Sequence, residues 1–392
     1  MQSPAKPALP IRLRGIDFLR GLGALGVVGF HNIGFGDAAG HVPVWFRALR
    51  SVLDQGHLGV ALFFVVSGFC IHQRWAKNYA NGTDANPAFV EFWKRRIHRL
   101  YPPYFVALLF SMAMVVTAYI VGANVPLLKL YPHPVTRSIV YDFAAHVTML
   151  HGVTSTYDML GGNPPYWSLA REEYLYLMYF ALLWWRRRVG IVQTTVGVLL
   201  LGLLFSVAMG FRFSAGSGWG HIIYSSALVL WIQWTLGALA VEAHYGNVRL
   251  PRWCSSLWLF PLWFAAAFVV QRVPGVASVL WGMAFFTLLN YCIKHEKSRG
   301  WGASWVTRWI TRVGVFSYSL YLVHLPVRIA VKYLLIRLGM PAVLPNYYAY
   351  TAVACGTAAT GYFAGKVFYL IVERRFLNRA PVQRAVVVAT VS

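Results

Sequence analysis

The stretch Ile16-Asp-Phe-Leu-Arg20-Gly-Leu-Gly-Ala-Leu-Gly-Val-Val-Gly-Phe-His31-Asn-Ile-Gly-Phe-Gly36 holds an arginine and a histidine in one apolar run, with nothing else ionisable between them. An ionisable side chain is costly to place in hydrocarbon, so it marks a pathway or a reaction site. At ~1.5 Å rise and ~100° per residue, the spacing from Arg20 to His31 is about three helical turns, or roughly 16 Å. Both side chains therefore leave one face of one helix, separated by about half of a ~30 Å hydrocarbon core. A cation near one membrane face and an imidazole well across it point to chemistry that spans the bilayer.

Composition agrees with a membrane setting. Hydrophobic residues make up 58% of the 392 residues and charged residues 12%, where a soluble domain carries about 25%. At ~20 residues per span there is room for about ten. With no internal repeat or soluble appendage, residues 1–392 read as a single domain. The net charge of +23 lies at the ends of apolar segments, as positive-inside topology requires, so nucleic acid is not an expected partner. Cys70, Cys254, Cys292 and Cys355 show no metal or redox spacing, and no disulfide is expected. The N-terminal run is broken by Arg20 and continues past it, so it reads as a retained first span and not as a cleaved signal.

Apolar runs fall near 16–35, 57–75, 101–122, 166–185, 189–210, 223–243, 256–273, 276–293, 314–335 and 347–372. A shorter run, 137–153, carries Arg137, Asp142, His146 and His151. Left out of the count, it puts 23 of the 35 Lys and Arg residues on the N-terminal side and 10 on the other. This asymmetry favours ten spans, both termini cytoplasmic (tails of about 1–14 and 374–392), and 137–153 as an interfacial or re-entrant helix on the outer side. The expected fold is thus an all-α polytopic membrane protein in contact with membrane lipids.

Several motifs could carry chemistry. Gly21-Leu-Gly23-Ala-Leu-Gly26 has dinucleotide-loop spacing but lies inside a membrane helix, where glycines serve close packing. Lys94, Arg95, Arg96, His98 and Arg99 precede the third span, either as a positive-inside anchor or as a grip on phosphates. Trp167-Ser168-Leu-Ala-Arg-Glu172 opens the fourth full span. Glu172 lies roughly 9 Å inside from Tyr166, and His31 about 8 Å from the outer boundary, at helical rise. Equal depth places a carboxylate where it could orient an imidazole for general-base work. His324, near mid-membrane, is a structural or a catalytic histidine, and Pro326 frees a backbone carbonyl that neighbours must satisfy. Metal binding is not expected, since no ligand spacing appears.

At these residues the chain resembles acyltransferase family 3, integral membrane proteins that include the O-antigen acetylases. Arg20 with His31 matches its Arg-x10-His hallmark, and Phe63-Phe-Val-Val-Ser67-Gly-Phe69 its second span. Arg95-Arg96 with Arg99 and Tyr101-Pro-Pro-Tyr104 match its basic approach to the third span. Trp167-Ser168-Leu169 with Glu172, and Tyr318-Ser-Leu-Tyr321 with His324, match two further blocks. The tail, Val372-Glu-Arg-Arg-Phe376, lacks the proline the family commonly has two places after the glutamate. No hydrolase-like domain follows the tenth span, so the chain is expected to complete transfer alone or with a separate partner.

The resemblance implies a bacterial cytoplasmic (inner) membrane enzyme. It would move an acyl group, often acetyl, from cytoplasmic acyl-coenzyme A (acetyl-coenzyme A) to a hydroxyl of a carbohydrate or glycosylated acceptor. Acyl-coenzyme A is then a co-substrate, with no cofactor bound. His31 would act as general base or assist an acyl relay, with Glu172 beside it. Arg20 and the Arg95, Arg96 and Arg99 cluster would hold donor phosphates or stabilise an oxyanion. Ser67, Trp167, Ser168, Tyr318 and His324 are further pocket candidates. The rival class is a transporter of a glycan or lipid-linked substrate without acyl chemistry, which intramembrane charge would also explain.

Overall fold

The computed structural model describes residues 13–33, 43–83, 87–122, 126–210, 226–271, 273–296, 302–337 and 347–377. They form helices joined by short turns, with no strand among the described residues. In chain order the α-helices are α1 (Arg14–Ile33), α2 (Val44–Asp54), α3 (Gly59–Ala80), α4 (Phe89–Ile120), α5 (Val135–Val147), α6 (Trp167–Val189) and α7 (Ile191–Gly210). They continue as α8 (Ala227–His244), α9 (Leu259–Val269), α10 (Pro274–His295), α11 (Trp305–Val315), α12 (Ser317–Arg337) and α13 (Tyr347–Ile371).

Among the described residues, five segments are long and apolar enough to cross a membrane: Val44–Ala80, α4, Ile191–Met209, α8 and Gly275–His295. A sixth appears if α11 and α12, bent by 82° at their junction, are taken together. The length and composition of the described helices thus support fewer spans than the ten apolar runs. Helices α1 and α6 have the length, 20 and 23 residues, but their charged residues lower the mean hydropathy. With 11 residues, α9 is only about 16 Å long. The 13 residues of α5 cover about 20 Å, short of a ~30 Å core, as expected of an element that does not span. Two helices lie where the sequence reads as loop: α2 in the 36–56 segment and α11 in 294–312. Both interleave arginines with apolar residues, which hides them from a search for apolar runs.

Helices approach closely where glycines leave room, as membrane packing favours. A Cβ added at Gly68 would overlap the Trp234 carbonyl, and one at Gly237 the Val65 carbonyl, so α3 and α8 touch backbone to backbone. Gly21 of α1 and Gly314 of α11 do the same, which is the use of the decoy glycine run. At the C-terminal ends of α3, α6 and α8, the Glu242 carboxylate accepts two bonds from Arg186, at 2.9 and 2.8 Å, and lies 2.9 Å from His72 Nε2. Arg186, which the sequence places with topogenic charge, is instead a buried partner, stacked 4.4 Å over Trp75 and 4.1 Å over Tyr79.

The segment between α4 and α6 is organised by buried Asp142. Its Oδ2 accepts from the Tyr131 hydroxyl at 2.6 Å and the Gly161 amide at 2.8 Å, and its Oδ1 lies 3.0 Å from His146 Nδ1. Gly161 and Gly162, at φ +70 and +69, make the turn that brings that amide in, a conformation that suits glycine. The His146 ring stacks on His151 at 3.8 Å, and His151 Nε2–H donates to the Tyr166 carbonyl at 3.1 Å. The segment then reaches α12. Pro326 has no N–H for the Leu322 carbonyl, and the Asn163 amide donates to that oxygen at 2.8 Å, with the Tyr166 hydroxyl at 3.3 Å. The carbonyl that the proline frees thus anchors this segment.

Two outcomes follow from this anchoring. Asn163→Ala should destabilise the protein by about 1–3 kcal/mol, the usual cost of an unsatisfied buried polar group. Adding Pro326→Ala returns an N–H to the helix and should recover part of that loss, which thermal unfolding in detergent would read; equal loss in the single and double variants would contradict the anchor. Burial, and then the neighbouring His146, push the His151 imidazole down to about 3. An unfolded histidine near 6.5 takes up its proton first, so stability falls as pH drops below that value, by about 2 kcal/mol at pH 5. Limited proteolysis of the 126–166 segment should speed up between pH 7.5 and 5.5 in the native chain and lose that pH dependence in His151→Gln.

Candidate active site

The cavity next to Arg20 has a volume of about 160 Å³ and is walled by α1, α3, α4, α6, α12 and the turn after α13. It brings together Arg20, Ser67, Arg96, Arg99, Ser168 and Glu172, with Tyr318 beside them, so most of the sequence-predicted site is one place. On α3 it runs from Cys70 and Ile71 back to Val60, about 15 Å at helical rise.

Most of its polar groups are held by hydrogen bonds or ring contacts. The Ser67 hydroxyl donates to Glu172 Oε1 at 2.7 Å, and the Tyr176 hydroxyl donates to the same oxygen at 2.6 Å. The Arg96 guanidinium lies over the Phe92 and Tyr176 rings, at 5.6 and 5.7 Å, and the Tyr318 hydroxyl donates to the Leu100 carbonyl at 3.0 Å. Ser168 shares a 2.7 Å bond with the Tyr321 hydroxyl, which donates to the Pro165 carbonyl at 2.7 Å. Three guanidinium groups against two lining carboxylates leave a site suited to an anion, and arginine's planar fork matches phosphate.

Not every candidate is here. Arg95 is exposed and does not line the cavity, although Arg96 and Arg99 do. Trp167 packs against the main apolar cluster and is also outside the lining. Glu373, which the sequence left among the tail's basic residues, is buried and lines the cavity. Its Oε2 accepts from the Ser319 amide at 3.1 Å and from the Ser319 hydroxyl, satisfying a first-turn N–H of α12 that has no helical partner. Tyr176 and Tyr321 were likewise missed as site residues. The one available signal was tyrosines at helical spacing from Glu172 and His324.

His31 is not beside Glu172, and this corrects the depth argument. Equal depth fixes position along the membrane normal but not direction around it. The His31 ring faces His324 instead, with Nδ1 3.2 Å from His324 Nε2 and ring centroids 5.1 Å apart. His324 Nδ1 lies 2.9 Å from the Tyr321 carbonyl and 3.1 Å from that of Leu320, so it carries the proton and its Nε2 accepts. His31 Nδ1–H then serves both His324 and the Val27 carbonyl at 2.9 Å, leaving the Nε2 lone pair of His31 able to take a proton. One imidazole fixes the tautomer of the other, the service a carboxylate gives in a catalytic triad.

Described residues that are helical and largely apolar, with an arginine-lined cavity near half-buried His31 and buried His324, define a membrane-embedded protein with a polar site inside its helical core. Residues 13–365 match acyltransferase family 3, described as an acyltransferase domain, and the chain belongs to that family. It is 26% identical over 341 residues to the peptidoglycan O-acetyltransferase OatA of Listeria monocytogenes, covering 80% of this chain and 49% of the relative. It is 26% identical over 332 residues to the putative peptidoglycan O-acetyltransferase YrhL of Bacillus subtilis, covering 80% and 48%. A third relative, protein 2 of the picA locus of Rhizobium radiobacter, is 33% identical over 118 residues, covering 30% of this chain and 53% of the relative. The chain spans about half the length of the first two. No solved structure matches.

Proposed function

We propose that the chain is a membrane O-acyltransferase that moves an acyl group, acetyl in the first instance, from cytoplasmic acyl-coenzyme A to a hydroxyl of a carbohydrate acceptor on the outer side. The observation that carries this reading is the arginine cavity lying next to the His31–His324 pair on the shared helices α1 and α12. Family membership and the names of the relatives support acyl transfer and a polysaccharide acceptor. The topology proposed with it has about ten spans in the bacterial inner membrane and both termini cytoplasmic, which the 23-to-10 split of basic residues supports.

Arg96 and Arg99, on the basic approach to the third span, bind the donor's phosphates at the cytoplasmic mouth. Arg20, deeper along α1, holds either a phosphate or the developing oxyanion. The cavity takes the linear arm that ends in the thioester. At the other end, His31 Nε2 accepts the proton of the acceptor hydroxyl as its oxygen attacks the thioester carbonyl, and His324 Nε2 steadies the charged imidazole through Nδ1–H. The carbon–sulfur bond breaks, the thiolate regains a proton, and ester and free coenzyme A leave. Glu172 orients Ser67 and Tyr176 in the donor cavity and is not the partner of His31.

His31→Ala should lower transfer of label from acetyl-coenzyme A to extracted glycans by about 10²–10⁴-fold in a protein that still inserts and binds donor. His324→Ala should have a smaller effect. Near-wild-type turnover by the first variant would remove His31 from the mechanism.

The donor site has its own check. Cys70 is exposed at the cavity wall, so in a variant whose other three cysteines are serine, coenzyme A should protect it from a thiol reagent. Arg96→Lys with Arg99→Lys should raise the donor KM and weaken that protection, because lysine loses the forked contact. Arg95→Lys should do neither. Protection unchanged in the double variant would move the donor elsewhere.

A further inference from the structure

Two rings face each other in the wall of the donor cavity. Phe63 of α3 and Tyr321 of α12 both line it, with centroids 5.9 Å apart and planes at 83°. Beyond them lies His324, whose ring centroid is 6.0 Å from that of Tyr321, and His324 bonds His31. Neither histidine lines the cavity. The aromatic pair is therefore where the cavity wall comes into ring contact with the imidazoles.

We propose that Phe63 and Tyr321 form a gate between the donor cavity and the histidine pair, with Phe63 as the moving leaf, and that this gate sets the size of acyl group that reaches His31. The size role rests on the acyl-transfer reading above; the barrier role does not. The two leaves are held differently. Tyr321 is fixed by its bonds to the Pro165 carbonyl and Ser168. Phe63 has no polar atom to hold it and is half-buried. Across from it is Gly23 of α1, where an added Cβ would sit 3.4 Å from the Phe63 ring, so glycine there leaves the ring space to turn.

The need for a barrier is physical. A site supplied from one membrane face and a base served from the other cannot share a standing water path, because the membrane potential would drive protons through it. A closed pair of rings blocks that path at rest. A slender thioester arm displaces one ring and fills the opening, and each added methylene on the acyl group must fit where the ring was.

The test uses the full chain, purified and reconstituted, as wild type, Phe63→Ala and Phe63→Leu, the leucine variant covering the case in which alanine disturbs folding. Coenzyme A protection of Cys70 reports an intact donor cavity in each. The first arm compares acetyl-, butyryl- and hexanoyl-coenzyme A. The butyryl-to-acetyl ratio of kcat/KM should rise by about 10-fold or more in Phe63→Ala, as expected for one or two methylenes, and less in Phe63→Leu. The second arm loads vesicles with a pH dye and imposes a potassium diffusion potential; proton entry should be faster in Phe63→Ala than in wild type. An unchanged ratio in a protein that still protects Cys70 overturns the size role, and unchanged proton entry overturns the barrier. If wild type transfers no acyl group from any donor, it is the acyl-transfer reading that has failed, and the proton arm still decides the barrier.

Discussion

The hydrogen bond from Asn163 to the Leu322 carbonyl, 2.8 Å long, holds the site in place. A proline inside a helix leaves the carbonyl four residues back without its donor, and in hydrocarbon no water replaces it. The chain resolves this by bringing a side-chain amide from another element. The consequence reaches past one bond. Asn163 leads directly into the turn that starts α6, so the bond fixes α6, and with it Glu172, relative to α12. It falls two residues from His324, and His324 meets His31. A helix defect thus becomes the joint at which three helices of the site agree on their positions.

The second constraint is buried charge, and the chain handles it by pairing. Breaking a buried ion pair by removing one partner costs about 3–5 kcal/mol, so each burial needs its complement. Glu242 takes both Arg186 and His72, and Arg171 takes Asp158 at 2.8 Å. In the cavity the balance is left uneven: Arg20, Arg96 and Arg99 face Glu172 and Glu373, and both carboxylates already accept bonds from neighbouring hydroxyls. The surplus of positive charge where a cavity exists, against close pairing where none does, distinguishes a binding site from a structural ion pair.

How far the sequence was legible depends on whether one helix or several had to be read. The α1 face carrying Arg20 and His31 was legible because the eleven-residue spacing belongs to a single helix. The 23-to-10 split of basic residues sets the short α5 aside as a span, and its 13 residues fall short of a ~30 Å core. The His31 partner was not legible, because depth along the membrane normal is silent on azimuth, and the choice between Glu172 and His324 is an azimuthal one. Arg95 belongs with this case: it shares a motif with Arg96 and Arg99, but one residue of helix is ~100° of rotation. That turn takes it off the cavity wall. The need of the Leu322 carbonyl was legible from Pro326, but its donor, 159 residues away in sequence, was not. Glu373 was hidden in a different way, since Arg374 and Arg375 beside it make the tail look purely topogenic.

On the acyl-transfer reading, these features divide the work by what can cross a membrane. The nucleotide end of a coenzyme A thioester is bulky and multiply charged, and its phosphates are costly to take into hydrocarbon. The arginines therefore belong at the cytoplasmic mouth. The thioester arm is thin and nearly uncharged, so it alone needs a passage, and the cavity runs along α3 from Ile71 to Val60. The acceptor brings a hydroxyl and requires only a base, which a neutral imidazole supplies without placing a permanent charge deep in hydrocarbon. The three cavity arginines stand where phosphate or a carboxylate compensates their charge, which limits the cost of desolvating them. On α12, buried Arg328 lies one turn beyond His324 and Lys332 one turn further, so permanent charge stands at the imidazole end as well.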